Sequence, residues 1–475
     1  MYLSENKIKY VFHHLWNHLS LSSFDPNEIV ILKTPYQPGS GIKNKLIFPL
    51  SPDESPHPIE VHFHGQQLPV LFALGKEGDL VYRADPDGNI IFSHDLLSSA
   101  FYLLSGQQET ETDKKDQYGR YPYDLSIQKQ LDIAHLPLVN YYFEMIMEGI
   151  EAYAKSKNKQ VQRRRLFKNF GFFLSHDVDR VAYYHPLYIL YRIKQFLGLA
   201  PSNYSKSKII KLFFQGIFYH LNPNGREDPW WNFDWMMKIE KELGIRSAFY
   251  FLKQEDRFDN SLYQYHHKKI KHLITTLNDE GFEVGLHGTM RTATDGKRLL
   301  QQKNEFIQST NLQPKGIRQH YLRFSIPQTF KHQMAAGFRY DTSLTFAERD
   351  GFRNGYCWPF HPYDFESDEM MDIWEIPLVM MEVSALNYRQ TGFSGLQKAA
   401  EQHIQEAQRF GGIFSLLWHN CRLNDIEVPG VSAFYKLLLK SIIEKKAEPM
   451  RGIDICDRMD GWEQESSQST FLEMK

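Results

Sequence analysis

Cysteine is scarce in this chain. Three occur among 475 residues, Cys357, Cys421 and Cys456, far apart in sequence. No Cys-x-x-Cys pair exists, which argues against a cysteine zinc site. The odd, sparse count argues against a disulfide framework, and a reducing cytoplasm is the compartment that fits. Long apolar runs are missing as well. No stretch of about 20 apolar residues is present, so no transmembrane helix is expected. The opening segment, Met1-Tyr2-Leu3-Ser4-Glu5-Asn6-Lys7, lacks the apolar core and small-residue cleavage site of a secretory signal. A bias to one charge is also absent. Fifty-five basic residues face 57 acidic ones, for a net charge of −2, so the chain as a whole carries no footprint for nucleic acid.

What is present is apolar and aromatic. Hydrophobic residues make up 42% of the chain and aromatics 14%, enough for a large core and more than one domain. The clearest boundary is the polar, basic stretch from Lys155 to the triplet Arg163-Arg164-Arg165, which reads as a solvated linker or helix tail. Residues 1–165 read as a smaller α+β domain. Ile8 to Leu21 and Val139 to Ala154 have helical apolar spacing, Asp95 to Leu104 reads as a buried helix, and Lys45–Phe48 and Glu60–Phe63 read as strands. No catalytic constellation stands out here. His62 and His64 would share one strand face, as surface or packing residues.

Residues 166–475 alternate between strand and helix. Strand-like runs occur at Gly171–Ser175, Arg246–Leu252, Phe282–Leu286, Gly316–His320, Phe338–Thr342, Ile373–Val379, Gly412–Trp418 and Gly452–Ile455, with helical patterns between most of them. Repeated β-α units imply parallel strands with helices outside. Seven or eight of them suggest a closed or nearly closed barrel, whose active face lies at the C-terminal strand ends. Those ends carry Asp177 and Asp179, His287, His320, Asp341 and His419. The run Phe170-Gly171-Phe172-Phe173-Leu174 stops on the acids of Ser175-His176-Asp177-Val178-Asp179, a costly arrangement unless something neutralises or uses them.

Two carboxylates and two or three imidazoles suit a borderline divalent metal, zinc most readily, with cobalt or nickel as substitutes. Asp179 and His287 are natural ligands, and His320 could complete the set. Asp177 would serve as general base and His419 as general acid. Arg318 would keep Asp177 ionised or neutralise an oxyanion, with Asp341 orienting Arg318.

The order and spacing of these residues resemble the polysaccharide deacetylases of the NodB-homology class, over roughly residues 166–460. The resemblance implies a distorted (β/α) barrel that removes acetyl groups from N-acetylated sugars with a divalent metal. Ser175-His176-Asp177-Val178-Asp179 falls on the family's first motif. Val178 occupies the usual ligand position and cannot bind metal, so Asp179 takes that role, as in an Asp-x-Asp branch of the family. The second motif, His-x-x-x-His, reads His287-Gly288-Thr289-Met290-Arg291, with Arg291 in place of a ligand. The third reads Arg318-Gln319-His320-Tyr321, where His320 could restore the missing ligand. Leu417-Trp418-His419 matches the last motif, and Phe338 to Ser343 resembles a further segment of these proteins. The N-terminal segment resembles an uncharacterised domain found ahead of such catalytic domains in bacterial proteins. The departures leave two rival expectations. One is hydrolysis of a small cyclic amide or other C–N bond with little metal dependence. The other is a non-catalytic glycan-binding protein on a decayed barrel.

About 70 residues separate the first two strands, far more than a βα loop needs. This insertion, at about 180–230, contains the aromatic, lysine-dotted runs Tyr183–Phe196 and Ile209–Tyr219. It reads as a cap on the barrel, with Trp230 and Trp231 available to stack on sugar rings, or as a surface that meets the membrane interface.

Overall fold

A computed structural model describes residues 3–20, 25–33, 36–74, 80–202, 204–222 and 227–467. The first helix, Glu5–Trp16, begins where the Ser4 hydroxyl accepts the Lys7 N–H at 3.2 Å. It buries Ile8, Val11, Phe12 and Leu15, one helical stripe. It stops short of the expected Leu21, because Leu19–Ser20 pairs antiparallel with Gln162–Arg163. The basic stretch is therefore not a free linker. Arg163 pairs with Glu144 and Glu151, and Arg164 pairs with Glu465 and stacks on Trp462. Arg165 donates to the carbonyls of Gln408 and Arg409.

Between these points lie a four-stranded sheet (Ile29–Leu32, Leu46–Pro49, Ile90–Phe92, Tyr82–Ala84), a hairpin (Ile59–Phe63, Gln66–Val70) and the buried helices Leu96–Leu104 and Leu138–Ser156. His62 is exposed on its strand. His64 does not share that face, since it lies in the following turn at positive φ and pairs with Glu148.

The second region is a parallel sheet of nine strands: β1 (Phe170–Val178), β2 (Ala248–Phe251), β3 (Glu283–Gly288), β4 (Gly316–Gln319), β5 (Tyr340–Asp341), β6 (Trp374–Glu375), β7 (Met380–Met381), β8 (Ile413–Leu417) and β9 (Ala447–Pro449). The path runs β6-β5-β4-β3-β2-β1-β8-β7, with β9 beside the start of β1. Its two edges, β6 and β7, are four residues apart in sequence. The single irregular segment Trp374–Met381 thus pairs with β5 at one end and β8 at the other, and curls the sheet into a distorted (β/α) barrel. All nine residues of β1 are buried, as a strand covered on both faces requires.

Gly452–Ile455 is not a strand. It opens the helix Gly452–Ser467, which buries Ile455, Cys456 and Met459 at helical spacing, and β9 lies just before it. Inside the barrel, Tyr250 and Tyr340 share a hydroxyl hydrogen bond (2.8 Å), and Tyr340 donates to Glu283 Oε1 (2.8 Å). A Cβ at Gly316 would lie 2.1 Å from the Tyr340 ring, so only glycine leaves room for it.

The insertion folds into two helices, α1 (Pro186–Phe196) and α2 (Lys206–Leu221). Trp230 is buried against Tyr183 and Tyr188, beneath the Arg180 guanidinium, and Trp231 sits under Lys269. Both indoles are used in packing rather than presented to a ligand. The two regions share one apolar core, and their contact buries an Arg353–Glu109 pair with bonds of 2.8 and 2.6 Å.

Candidate active site

The C-terminal ends of the strands surround a cavity of about 340 Å³, within the range of small-ligand pockets. Asp177 and Asp179 enter it from the end of β1. The alternation of a strand sends His176 to the other side, where it bonds Glu240 (2.9 Å) and the Trp418 carbonyl (2.7 Å). Val178 is buried on that side too.

Asp177 is 2% exposed. Its Oδ1 accepts from Arg318 Nη1 at 2.9 Å, while Oδ2 faces His287 Nε2 at 3.6 Å and His419 Nε2 at 3.9 Å. Burial raises this carboxyl, but His287, Arg318 and His419 outweigh burial and hold it below the usual range. Asp179 is held lower still. Burial is again overcome, here by His287, whose Nε2 lies 3.4 Å away, and by the charges of His419 and His320.

His287 donates from Nδ1 to the Arg318 carbonyl (2.8 Å), which turns Nε2 toward the acids, 3.4 Å from Asp179 Oδ1. Burial pulls this imidazole down, and the two aspartates pull it up to a net rise. His320, just past β4, has Nδ1 3.5 Å from Asp259 Oδ1. At that distance the Asp259 carboxylate attracts the ring without a hydrogen bond to it.

Donor atoms of Asp179, His287 and His320 all lie within 4.8 Å of one another. The 3.4 Å edge between His287 and Asp179 is what two ligands about 2.1 Å from a tetrahedral ion would span. Asp179 Oδ1 and His320 Nδ1 are buried without a protein hydrogen bond. One carboxylate and two imidazoles, with these two polar atoms left unsatisfied, fit a divalent cation. Arg291 takes no part: it is half exposed and pairs with Asp256 at 2.9 Å.

His419 follows β8. Its Nδ1 donates to Glu382 Oε1 at 2.8 Å, and its Nε2 lies 3.8 Å from Asp179 Oδ2. Burial lowers the imidazole, but Glu382 and the two aspartates push it up to about 9. Arg318 is fully buried, 4.7 Å above the Tyr250 ring, and donates from Nε to the Thr342 carbonyl at 2.8 Å.

The expected Arg318–Asp341 pair does not form. Register places Ile317 opposite Asp341, so Arg318 faces Thr342 and Asp341 points to the other side of the sheet. There Asp341 bonds Gln333 (2.6 Å) and Ser343, beside Glu375. Burial pushes Asp341 up to about 6 and Glu375 well above its ordinary value, as for a structural acid pair sharing a proton.

Three contributors were not foreseen from sequence. Glu382 ends the apolar run Leu378-Val379-Met380-Met381 on an acid, the same signature as β1, and could have been found by it. Asp259 lies in the loop after β2, where its carboxylate accepts backbone N–H groups of Met290, Asp256 and Glu255. Arg120 reaches the cavity wall from the N-terminal region, held by Asp116 at 2.7 Å and Glu348 at 3.4 Å. Its neighbour Tyr118 stacks on Tyr321 at 4.6 Å and 12°. Tyr321 and Leu322 both hold positive φ (58° and 56°), an unfavourable backbone for residues with a Cβ. The N-terminal region therefore braces the strained turn that carries His320.

Residues 3–155 match a family of unknown function, DUF7033. A comparison with curated proteins found no match. Among solved structures, the chain is similar to a putative polysaccharide deacetylase from Mycobacterium smegmatis, at 14% identity and a TM-score of 0.40, over 65% of this chain and 95% of that one. It is similar to a probable polysaccharide deacetylase from Pseudomonas aeruginosa PAO1, at 13% identity and a TM-score of 0.38, over 62% and 90%. It is also similar to a CE4 family pseudoenzyme from Bacillus anthracis, at 10% identity and a TM-score of 0.32, over 61% and 66%.

Proposed function

We propose that this protein hydrolyses an amide C–N bond, removing the acetyl group of an N-acetylated sugar or glycan precursor. In this reading Asp179, His287 and His320 hold a divalent cation, zinc by its donor set. The observation that carries it is the meeting of Asp177, Asp179, His287, His320 and His419 at one cavity from four strand ends, with Arg318 buried against Asp177. When bound, the cation acidifies water and polarises the acetamide carbonyl.

Asp177 takes the proton of the attacking water at Oδ2, the oxygen that Arg318 leaves unengaged. Arg318 keeps Asp177 ionised for that task. His419 carries a proton on Nε2 toward the cavity and gives it to the departing nitrogen, which leaves as an amine only once protonated. Glu382 holds the ring by Nδ1 and stabilises its charged form. The products are acetate and a free amino sugar.

The test is acetate release from N-acetylated oligosaccharides by the full chain loaded with zinc, alongside metal analysis. Turnover that depends on both the cation and Asp177 is expected. Absence of bound cation, together with an unchanged rate in Asp177→Asn, would overturn the proposal.

A further inference from the structure

Twelve of the twenty exposed large apolar side chains among the described residues fall between Leu187 and Leu221, a small part of the chain. They lie on the insertion. The helices α1 and α2 form an antiparallel hairpin: Tyr184 meets Tyr219 (5.0 Å between rings), Ile189 meets Gly216, and Lys206 sits over Phe196. A Cβ at Gly216 would come within 2.7 Å of Ile189, so the helices touch backbone to side chain. The inner face of α2 buries Ile209, Leu212 and Gly216. Its outer face carries Ile210, Phe214, Phe218 and Leu221, spaced as one helical stripe, with Phe218 61% and Leu221 74% exposed. On α1 the counterpart is Leu187 and Leu190. Leaving such a continuous patch in water is costly and marks an interaction surface.

The charge around the patch has one sign. From Val181 to Arg226 the sequence has six lysines and arginines and no aspartate or glutamate, although acids outnumber bases in the whole chain. Lys194, Lys206 and Lys211 are exposed and, among the described residues, have no carboxylate partner. A second copy of the hairpin would set like charges against like, so self-association is disfavoured. An anionic surface with an apolar interior answers both features. α2 has 16 residues, about 24 Å, short of the roughly 30 Å of a bilayer core, and no described helix is long and apolar enough to cross a membrane.

We propose that the outer face of the α1–α2 hairpin lies in the interface of an anionic lipid membrane, with its apolar stripe among the acyl chains and its lysines at the headgroups. The hairpin starts at Pro186, seven residues past Asp179, and Tyr188 contacts Asn260 (3.2 Å) on the cavity wall, so docking brings the cavity close to the membrane surface. The proposal is independent of the chemistry proposed for the cavity.

Its test is flotation of the full-length protein with vesicles of phosphatidylcholine alone or mixed 3:1 with phosphatidylglycerol, a readout that needs no turnover. Binding to the mixed vesicles is expected, weaker by about tenfold or more for the neutral ones and in high salt. The variants Phe214→Ser/Phe218→Ser and Lys194→Glu/Lys211→Glu should each lose about tenfold in partition with unchanged circular dichroism. No binding to either vesicle overturns the proposal, as does unchanged binding by both folded variants. So does a dimer of the wild type that the Phe214→Ser/Phe218→Ser change converts to a monomer.

Discussion

Among the described residues, two places bring two histidines and a carboxylate to within metal-binding reach: Asp179, His287 and His320 at the strand ends, and His13, His361 and Glu463 between the first helix, the barrel and the last helix. By spacing alone they are equivalent. They differ in how their polar atoms are satisfied. Glu463 already accepts from His13 at 2.8 Å and from Asn17 at 3.2 Å, with His361 at 3.5 Å, and these bonds outweigh burial to hold its carboxyl far below the usual range. That cluster is a clasp, complete without an ion. The strand-end cluster keeps buried donors without hydrogen bonds and borders a cavity. Unsatisfied donors, more than mutual distance, separate a candidate metal centre from an ion-pair knot.

The contrast can be broken most directly by substitution. Asp177→Asn is expected to lower acetate release by roughly 10²–10⁴-fold, and Asp179→Asn to remove the bound cation as well. His13→Ala and His361→Ala should alter neither rate nor metal content. Metal loss from the His13 variant in elemental analysis would reverse the two assignments.

A second prediction concerns a buried acid with no cavity. Burial raises Glu283 from 4.5 to about 7, against the opposing bonds of Tyr340 and the Ile453 N–H. The folded state thus keeps a proton that the unfolded chain releases. The associated stability is full below about 4.5 and is lost as pH rises through about 7, on the order of 3 kcal/mol. Glu283→Gln has no such loss. Urea unfolding at pH 5 and pH 8 should therefore show a steeper fall in the wild type than in the variant.

Glu382→Gln should cost about 10–100-fold in rate while leaving the cation in place, because it acts through His419. Tyr118→Ala should weaken cation affinity, by about tenfold in a competition titration, through the turn that carries His320. The smallest effect belongs to the clasp: His13→Ala should lower the unfolding free energy by about 1 kcal/mol, read from the denaturation midpoint.

Much of the barrel was legible because its strands are apolar runs closed by glycine or by a titratable residue. Asp179, His287 and His320 can be grouped from sequence, since parallel strands deliver their ends to one face. The pairing of Asp341 with Arg318 fails because a shared strand-end level does not mean a shared face. Which face a residue takes depends on register, and register is a pairing property invisible in one strand. Glu382 escaped notice because β7 is two residues long inside an irregular segment. Arg120 and Tyr118 escaped because they come from a different region of the chain. Gly452–Ile455 looked like a strand because a short apolar run has no distinguishing period until the buried Met459 is counted.

The hydrogen-bonded tyrosines inside the barrel have a consequence for access. Tyr250, Tyr340 and Glu283 fill the space behind Asp177 and Arg318, so the cavity has a floor rather than a passage. A ligand cannot reach Asp177 along the barrel axis from the far end of the strands. Access to the cavity is therefore set at the C-terminal strand ends, where Arg120 and Tyr321 form part of its wall.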